Sequence, residues 1–281
     1  MTSIKITCDS TADLSKDLME RYNIDTIPMY INLNGKSFKD GVDIQSDDIY
    51  EYVKKTGILP KTAAVSIKDY MDFFKKFHSS YDAVIHINLG EKFSSSHQNA
   101  VIAAGEFSNV YVINSNNLST GTGHIVLEAA MMAEKGLSLE KIIENLQQLT
   151  EKIETSFVID TLDYLKMGGR CSSLQAFSAN LLNIKPTIEV IDGKMEVGKK
   201  YRGKIEKSIN KYVADRLQGR TDIVTDRIFI THSGISEEII AQVKDKVQEY
   251  QNFDEIVVTR ASCTISCHCG PNTLGILFKR K

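Results

Sequence analysis

At 281 residues the chain is long enough for one large or two modest domains with a substantial core. Hydrophobic residues make up 42% and charged residues 25%, and the net charge of −2 gives no overall field that recruits nucleic acid or an anionic membrane. No apolar run approaches ~18 residues, so a simple membrane-spanning helix is excluded. The polar start MTSIKITCDSTADL is not expected to act as a signal peptide. The five cysteines (Cys8, Cys171, Cys263, Cys267 and Cys269) are then expected to stay reduced in a soluble cytoplasmic protein.

Short β-rich runs alternate with helical periods, which predicts an α/β fold. IKITCD (4–9), TIPMYINLN (26–34), AVIHIN (83–88) and VYVIN (110–114) read as the first four strands. In 67–79, Tyr70, Phe73, Phe74 and Phe77 recur at helical spacing and predict a core-facing stripe. A helix over 125–135 stops at Gly136, and Ser138 caps the next one, which reaches about Ile153. A second set begins with SFVID (156–160) and TIEVID (187–192), then an IDGK hairpin turn and MEVGKK (195–200). Helix 204–218, DRIFITH (226–232), helix 237–250, EIVVTR (255–260) and LGILFKR (274–280) complete it. The first set predicts a mainly parallel sheet and the second a mixed one, with domains over 1–153 and 154–281.

Four motifs invite a chemical reading. Cys263, Cys267, His268 and Cys269 crowd seven positions, but an extended chain turns His268 away from the cysteines and sets Cys263 roughly 13 Å from Cys267. Zinc sites favour paired C-x₂₋₄-C loops, so small buried cysteines fit better than a metal. Gly35-Lys36-Ser37 imitates the end of a phosphate loop, yet Tyr30 stands where its first glycine belongs, and Asn34-Gly35 favours a type I′ turn. STGTGHIV (119–126) lies between a strand and a helix but lacks the third glycine of a dinucleotide loop. Ser94 in FSSSHQNA, with His268 and Asp9, offers a serine-hydrolase or acyl-transfer set, although no G-x-S-x-G elbow surrounds it and Ser94 serves equally as an N-cap.

In order along nearly the whole chain, CDSTADL (8–14), KDGVD (39–43), KTAAVS (61–66), FSSSHQNA (93–100), the 114–123 stretch, LDYLKMGGR (162–170), IKP (184–186), HSGI (232–235) and CHCGPNTLGI (267–276) resemble the DegV family of bacterial fatty-acid-binding proteins. The chain departs from the family pattern at Ser95 and Ser96, where Gly-Thr is common, and at Ala63–Val65. It departs again at Asn114, which replaces an aspartate, and at Asn272, which replaces a glycine. The resemblance implies a fatty acid in an apolar tunnel between two α/β domains, its carboxyl held by residues matching Thr62, Ser94 and His268. It also implies that a separate fatty-acid kinase phosphorylates that carboxylate to an acyl-phosphate for phospholipid synthesis. On this view the chain is no enzyme and holds no cofactor; ATP and Mg²⁺ belong to the kinase. Arg170 and Arg202 are assigned to contact with that partner or with the transferred phosphate.

Overall fold

The computed structural model describes residues 2–172 and 184–281. In chain order the strands are β1 (Ile4–Asp9), β2 (Asp25–Ile27), β3 (Tyr30–Leu33), β4 (Lys36–Lys39), β5 (Lys61–Ala63), β6 (Ala83–Asn88) and β7 (Val110–Asn114). They continue as β8 (Ile153–Val158), β9 (Ile184–Ile191), β10 (Lys194–Arg202), β11 (Ile223–His232), β12 (Glu255–Arg260) and β13 (Leu274–Arg280). Three sheets result among the described residues. A parallel sheet runs β2-β1-β6-β7, a mixed sheet runs β10-β9-β8-β13-β11-β12, and a small antiparallel sheet runs β4-β3-β5. The molecule is an α/β protein with one parallel and one larger mixed sheet.

Helices dictate the residue pattern of the parallel sheet. Every residue of β6 is buried, with no alternation, because both faces of a parallel sheet are covered. On one face, α3 (Ile67–Phe74) sets Tyr70 and Phe74 with ring centroids 5.3 Å from that of His86. The aromatic stripe is therefore core, and the helix ends earlier than the expected residue 79. The helix expected to start at residue 125 is α5 (Thr120–Glu134), buried on all sides from Thr120 to Leu127. Such a helix belongs between layers, and α5 packs on β1 and β6 of one sheet and β8 and β13 of the other. His124 fixes it there, its Nε2 lying 3.0 Å from the Leu277 carbonyl. Ser138 accepts the Lys141 N–H and caps α6 (Leu139–Thr150), as its sequence position implies.

Two further segments differ from expectation. The run 26–34 is not one strand: after Ile27 the chain leaves the parallel sheet, and it enters the small sheet at Tyr30. Pro28 lies at the break; it lacks the N–H that a continuing ladder needs. The second correction concerns the cysteine-rich stretch, which is not extended but forms α10 (Cys263–Cys269), capped by Ser262. Both expected hairpin turns are present, with φ of 52° and 72° at Asn34-Gly35 and 49° and 69° at Asp192-Gly193.

Candidate ligand-binding site

Where the parallel strands end, the chain leaves a hollow of about 860 Å³, a volume that includes its opening to solvent. Met29 follows β2, Leu89 follows β6, and Leu118 follows β7, so the parallel sheet contributes residues at its carboxyl ends, where open α/β sheets take their ligands. The mixed sheet closes the other side with Phe157, Met195, Gly275 and Leu277. Phe93, Leu165 of α7 (Asp163–Gly168) and Ile265 of α10 extend the apolar wall. Thr62, Ser94, Arg170 and His268 supply polar groups in the same lining. Arg202 lies outside this lining, exposed at the end of β10.

The chemistry of His268 follows from its neighbours. Nε2 lies 3.0 Å from Thr62 Oγ1, across 206 positions of sequence. Nδ1 is buried without a hydrogen-bond partner and lies against Gly168, where an added Cβ would collide with it. Burial first, and then the neighbouring Arg170 charge, lower the imidazole pKa to about 4. The ring is therefore neutral near pH 7 and carries one proton. A proton on Nδ1 would be an orphaned buried N–H, which proteins rarely tolerate, so the contacts place it on Nε2. Thr62 Oγ1 then accepts from the ring, and its own O–H is left to donate elsewhere.

Ser94 repeats this arrangement. Its Oγ accepts the Ser96 N–H at 3.2 Å, which leaves the hydroxyl proton unassigned. The residue precedes α4 (Ser96–Ala104), whose N-cap position is Ser95 rather than Ser94. Arg170 follows the α7 C-cap Gly169, which has φ 66°, and donates from Nη1 to the Gly168 carbonyl at 2.7 Å. The Thr62 and Ser94 hydroxyls with spare protons and the Arg170 guanidinium thus border a largely apolar hollow, which the Thr155 and Thr264 hydroxyls, buried without a hydrogen-bond partner, also line. They form a set suited to a carboxylate at the end of a hydrocarbon chain.

A Ser-His-Asp set is not assembled. Asp9 accepts from Leu89 N at 2.8 Å, Thr11 N at 3.0 Å, Asn88 Nδ2 at 3.4 Å and the Thr11 hydroxyl. None of these bonds reaches His268, whose Nδ1 lacks the acceptor that would orient a catalytic imidazole. The other motifs also acquire physical explanations. Gly35-Lys36-Ser37 is a turn into β4. Gly121 lies so close to Asn117 and Thr155 that a Cβ would overlap both, so its glycine is explained by packing. Cys263 and Cys267, one helical turn apart, pack against Ile31, Ile44 and Ile49. Among the described residues, no group of three His, Cys, Asp or Glu side chains is placed to hold a metal.

Sequence reasoning missed Gly168 behind His268, and Asp13 and Asp40 at the start of α10. Asp40 accepts from Cys263 N at 2.8 Å and Thr264 N at 3.0 Å, and Asp13 from Ser262 N at 2.9 Å. The available signal was Ser262, a capping residue that marks a helix start.

A model of the DegV family, described as uncharacterised proteins, matches residues 3–281. A DegV domain-containing protein of Caldanaerobacter subterraneus is 34% identical over 284 aligned positions, covering 100% of both chains. A Thermotoga maritima protein named a fatty acid-binding protein is 30% identical, with 97% of this chain and 96% of its own length aligned. Among solved structures, a fatty-acid-binding protein of the same family from Thermus thermophilus superposes with a TM-score of 0.90 at 30% identity. That superposition covers 99% of this chain and 100% of the other. No helix among the described residues is long and apolar enough to cross a membrane.

Proposed function

The chain belongs to the DegV family, and we propose that it binds one long-chain fatty acid with the hydrocarbon in the apolar hollow and the carboxylate at Thr62, Ser94 and His268. The observation that carries this reading is the Thr62–His268 pair in a largely apolar wall, because it leaves a hydroxyl donor directed by a neutral imidazole. Each buried methylene contributes about 0.8 kcal/mol, so ~14 of them contribute on the order of 11 kcal/mol before association costs. The tail supplies affinity. The head group needs donors, since an unpaired buried carboxylate is expensive. The Thr62 and Ser94 hydroxyls donate to it, and His268 acts through Thr62. Arg170, which the resemblance assigns to the partner or the transferred phosphate, shares the lining with His268 and adds a fixed positive charge to the head-group end.

The bound carboxylate is then the nucleophile for a separate fatty-acid kinase. One carboxylate oxygen attacks the γ-phosphorus of ATP, ADP leaves, and an acyl-phosphate remains. The kinase supplies ATP, Mg²⁺ and the phosphate cradle; Arg202, exposed on β10, contributes to docking. The test is mass spectrometry of lipid extracted from purified protein, followed by palmitate titration of the delipidated protein. Stoichiometric fatty acid of about 14–18 carbons is the expected result; delipidated protein that takes up none overturns the carrier reading.

A further inference from the structure

Helix α10 lies across the small sheet and is held by it at both ends. Cys263 and Cys267 pack on Ile31 of the central strand β3. His268, near the helix C-terminus, meets Thr62 of edge strand β5. Asp40 directly follows β4, the opposite edge strand. Its Oδ1 accepts from Cys263 N at 2.8 Å and its Oδ2 from Thr264 N at 3.0 Å, so one carboxylate takes two N–H groups at the start of the helix. Those groups have no partner within a helix, and a negative charge there is favourable.

Asp40 is itself fixed. It is 2% exposed, its N–H donates to the Met29 carbonyl at 2.9 Å, and Ser10 Oγ donates to its Oδ2 at 3.1 Å. Ile31 pairs with Phe38 on one side and Thr62 on the other, so the strand ladder sets how far Asp40 stands from Thr62. The helix spans the two anchors.

We infer that Asp40 is a positioning residue of the head-group site: by holding the first turn of α10 it sets where His268 Nε2 falls relative to Thr62 Oγ1. Its effect on ligand affinity rests on the carrier reading above, whereas its effect on the imidazole does not. Asp13 independently holds Ser262 N, one residue earlier, so α10 keeps part of its anchorage when Asp40 is changed.

The test is a double-mutant cycle on the full-length protein, read by palmitate titration and by the ¹⁵N spectrum of the His268 ring without ligand. Asp40→Asn is expected to weaken palmitate about tenfold when His268 is present and less than about twofold in combination with His268→Ala. The Nε2–H signal, held by Thr62 in the parent, is expected to shift or broaden. Equal losses in both backgrounds, or an unchanged ring signal, overturn the inference. Should Asp40→Asn fail to fold, Asp40→Glu, which keeps the charge on a longer arm, enters the same cycle with the same expectations. If the parent protein takes up no palmitate, the carrier reading fails while the ring spectrum still decides the role of Asp40.

Discussion

Two polar clusters flank the carboxyl ends of the parallel strands, and they differ in what their donors do. Around Asp9, the Leu89 and Thr11 N–H groups, the Thr11 hydroxyl and the Asn88 amide all donate to one carboxylate. Tyr70 Oη, 2.7 Å from Ser96 Oγ and 2.8 Å from Asn88 Nδ2, extends that cluster into the core. Around His268, Thr62 and Ser94 each accept one hydrogen bond and keep a proton with no acceptor among these contacts. The first arrangement closes loops. The second keeps donors unspent, and it borders the hollow.

The largest expected effect lies in the closed cluster. Asp9→Ala strands several buried donors at once and is expected to cost about 3 kcal/mol or more of stability, measured by urea unfolding. A loss below about 1 kcal/mol would remove the distinction between the clusters. In the open cluster, Thr62→Val keeps the side-chain shape but removes the hydroxyl, so palmitate affinity is expected to fall by about 1–3 kcal/mol in a calorimetric titration. Ser94→Ala should fall at the lower end of that range, since Ser96 N loses only one acceptor.

The arginines sharpen the comparison further. Arg170→Ala is expected to weaken palmitate by about 1 kcal/mol, less so as salt is raised, because the residue is exposed and screened. Arg202→Ala should leave affinity unchanged and lower only the rate with a kinase partner, seen by titrating carrier in a coupled assay. A loss of palmitate with Arg202→Ala as large as that with Thr62→Val would move Arg202 into the head-group site.

The smallest effect is a pH slope. Burial pushes the Asp13 carboxyl up to about 7, partly opposed by its bonds to Ser119 and Ser262. The folded chain therefore holds a proton that the unfolded chain releases, and Asp13 loses its stabilising contribution as pH rises from about 4 to 7. Asp13→Asn removes this slope, so its stability relative to the parent should improve across that window in urea unfolding at stepped pH. A relative stability that falls across the window contradicts the assigned direction.

Much of the scaffold was legible from periodicity. The ends of α9 (Glu237–Tyr250), β12 and β13 fall where pattern and caps put them, because a long amphipathic helix and strands with continuous apolar centres carry strong local signals. The break at Pro28 was legible in principle, since a proline removes a ladder donor. Helix α10 was harder: its seven residues, CTISCHC, are weak helix formers, and packing on Ile31, Ile44 and Ile49 overrides their propensity. Individual site residues could be named from resemblance, but their relations could not. Thr62 and His268 meet across 206 positions, and no local pattern encodes that Gly168 leaves room for the ring or that Asp40 anchors its helix.

The central claim is that spare hydroxyl donors at Thr62 and Ser94 meet a carboxylate. Palmitate labelled with ¹³C at its carboxyl carbon, bound to the delipidated protein, tests this directly by NMR. The account predicts one bound carboxyl resonance, distinct from free palmitate, that moves in both Thr62→Val and Ser94→Ala. A bound resonance indifferent to both substitutions would contradict it.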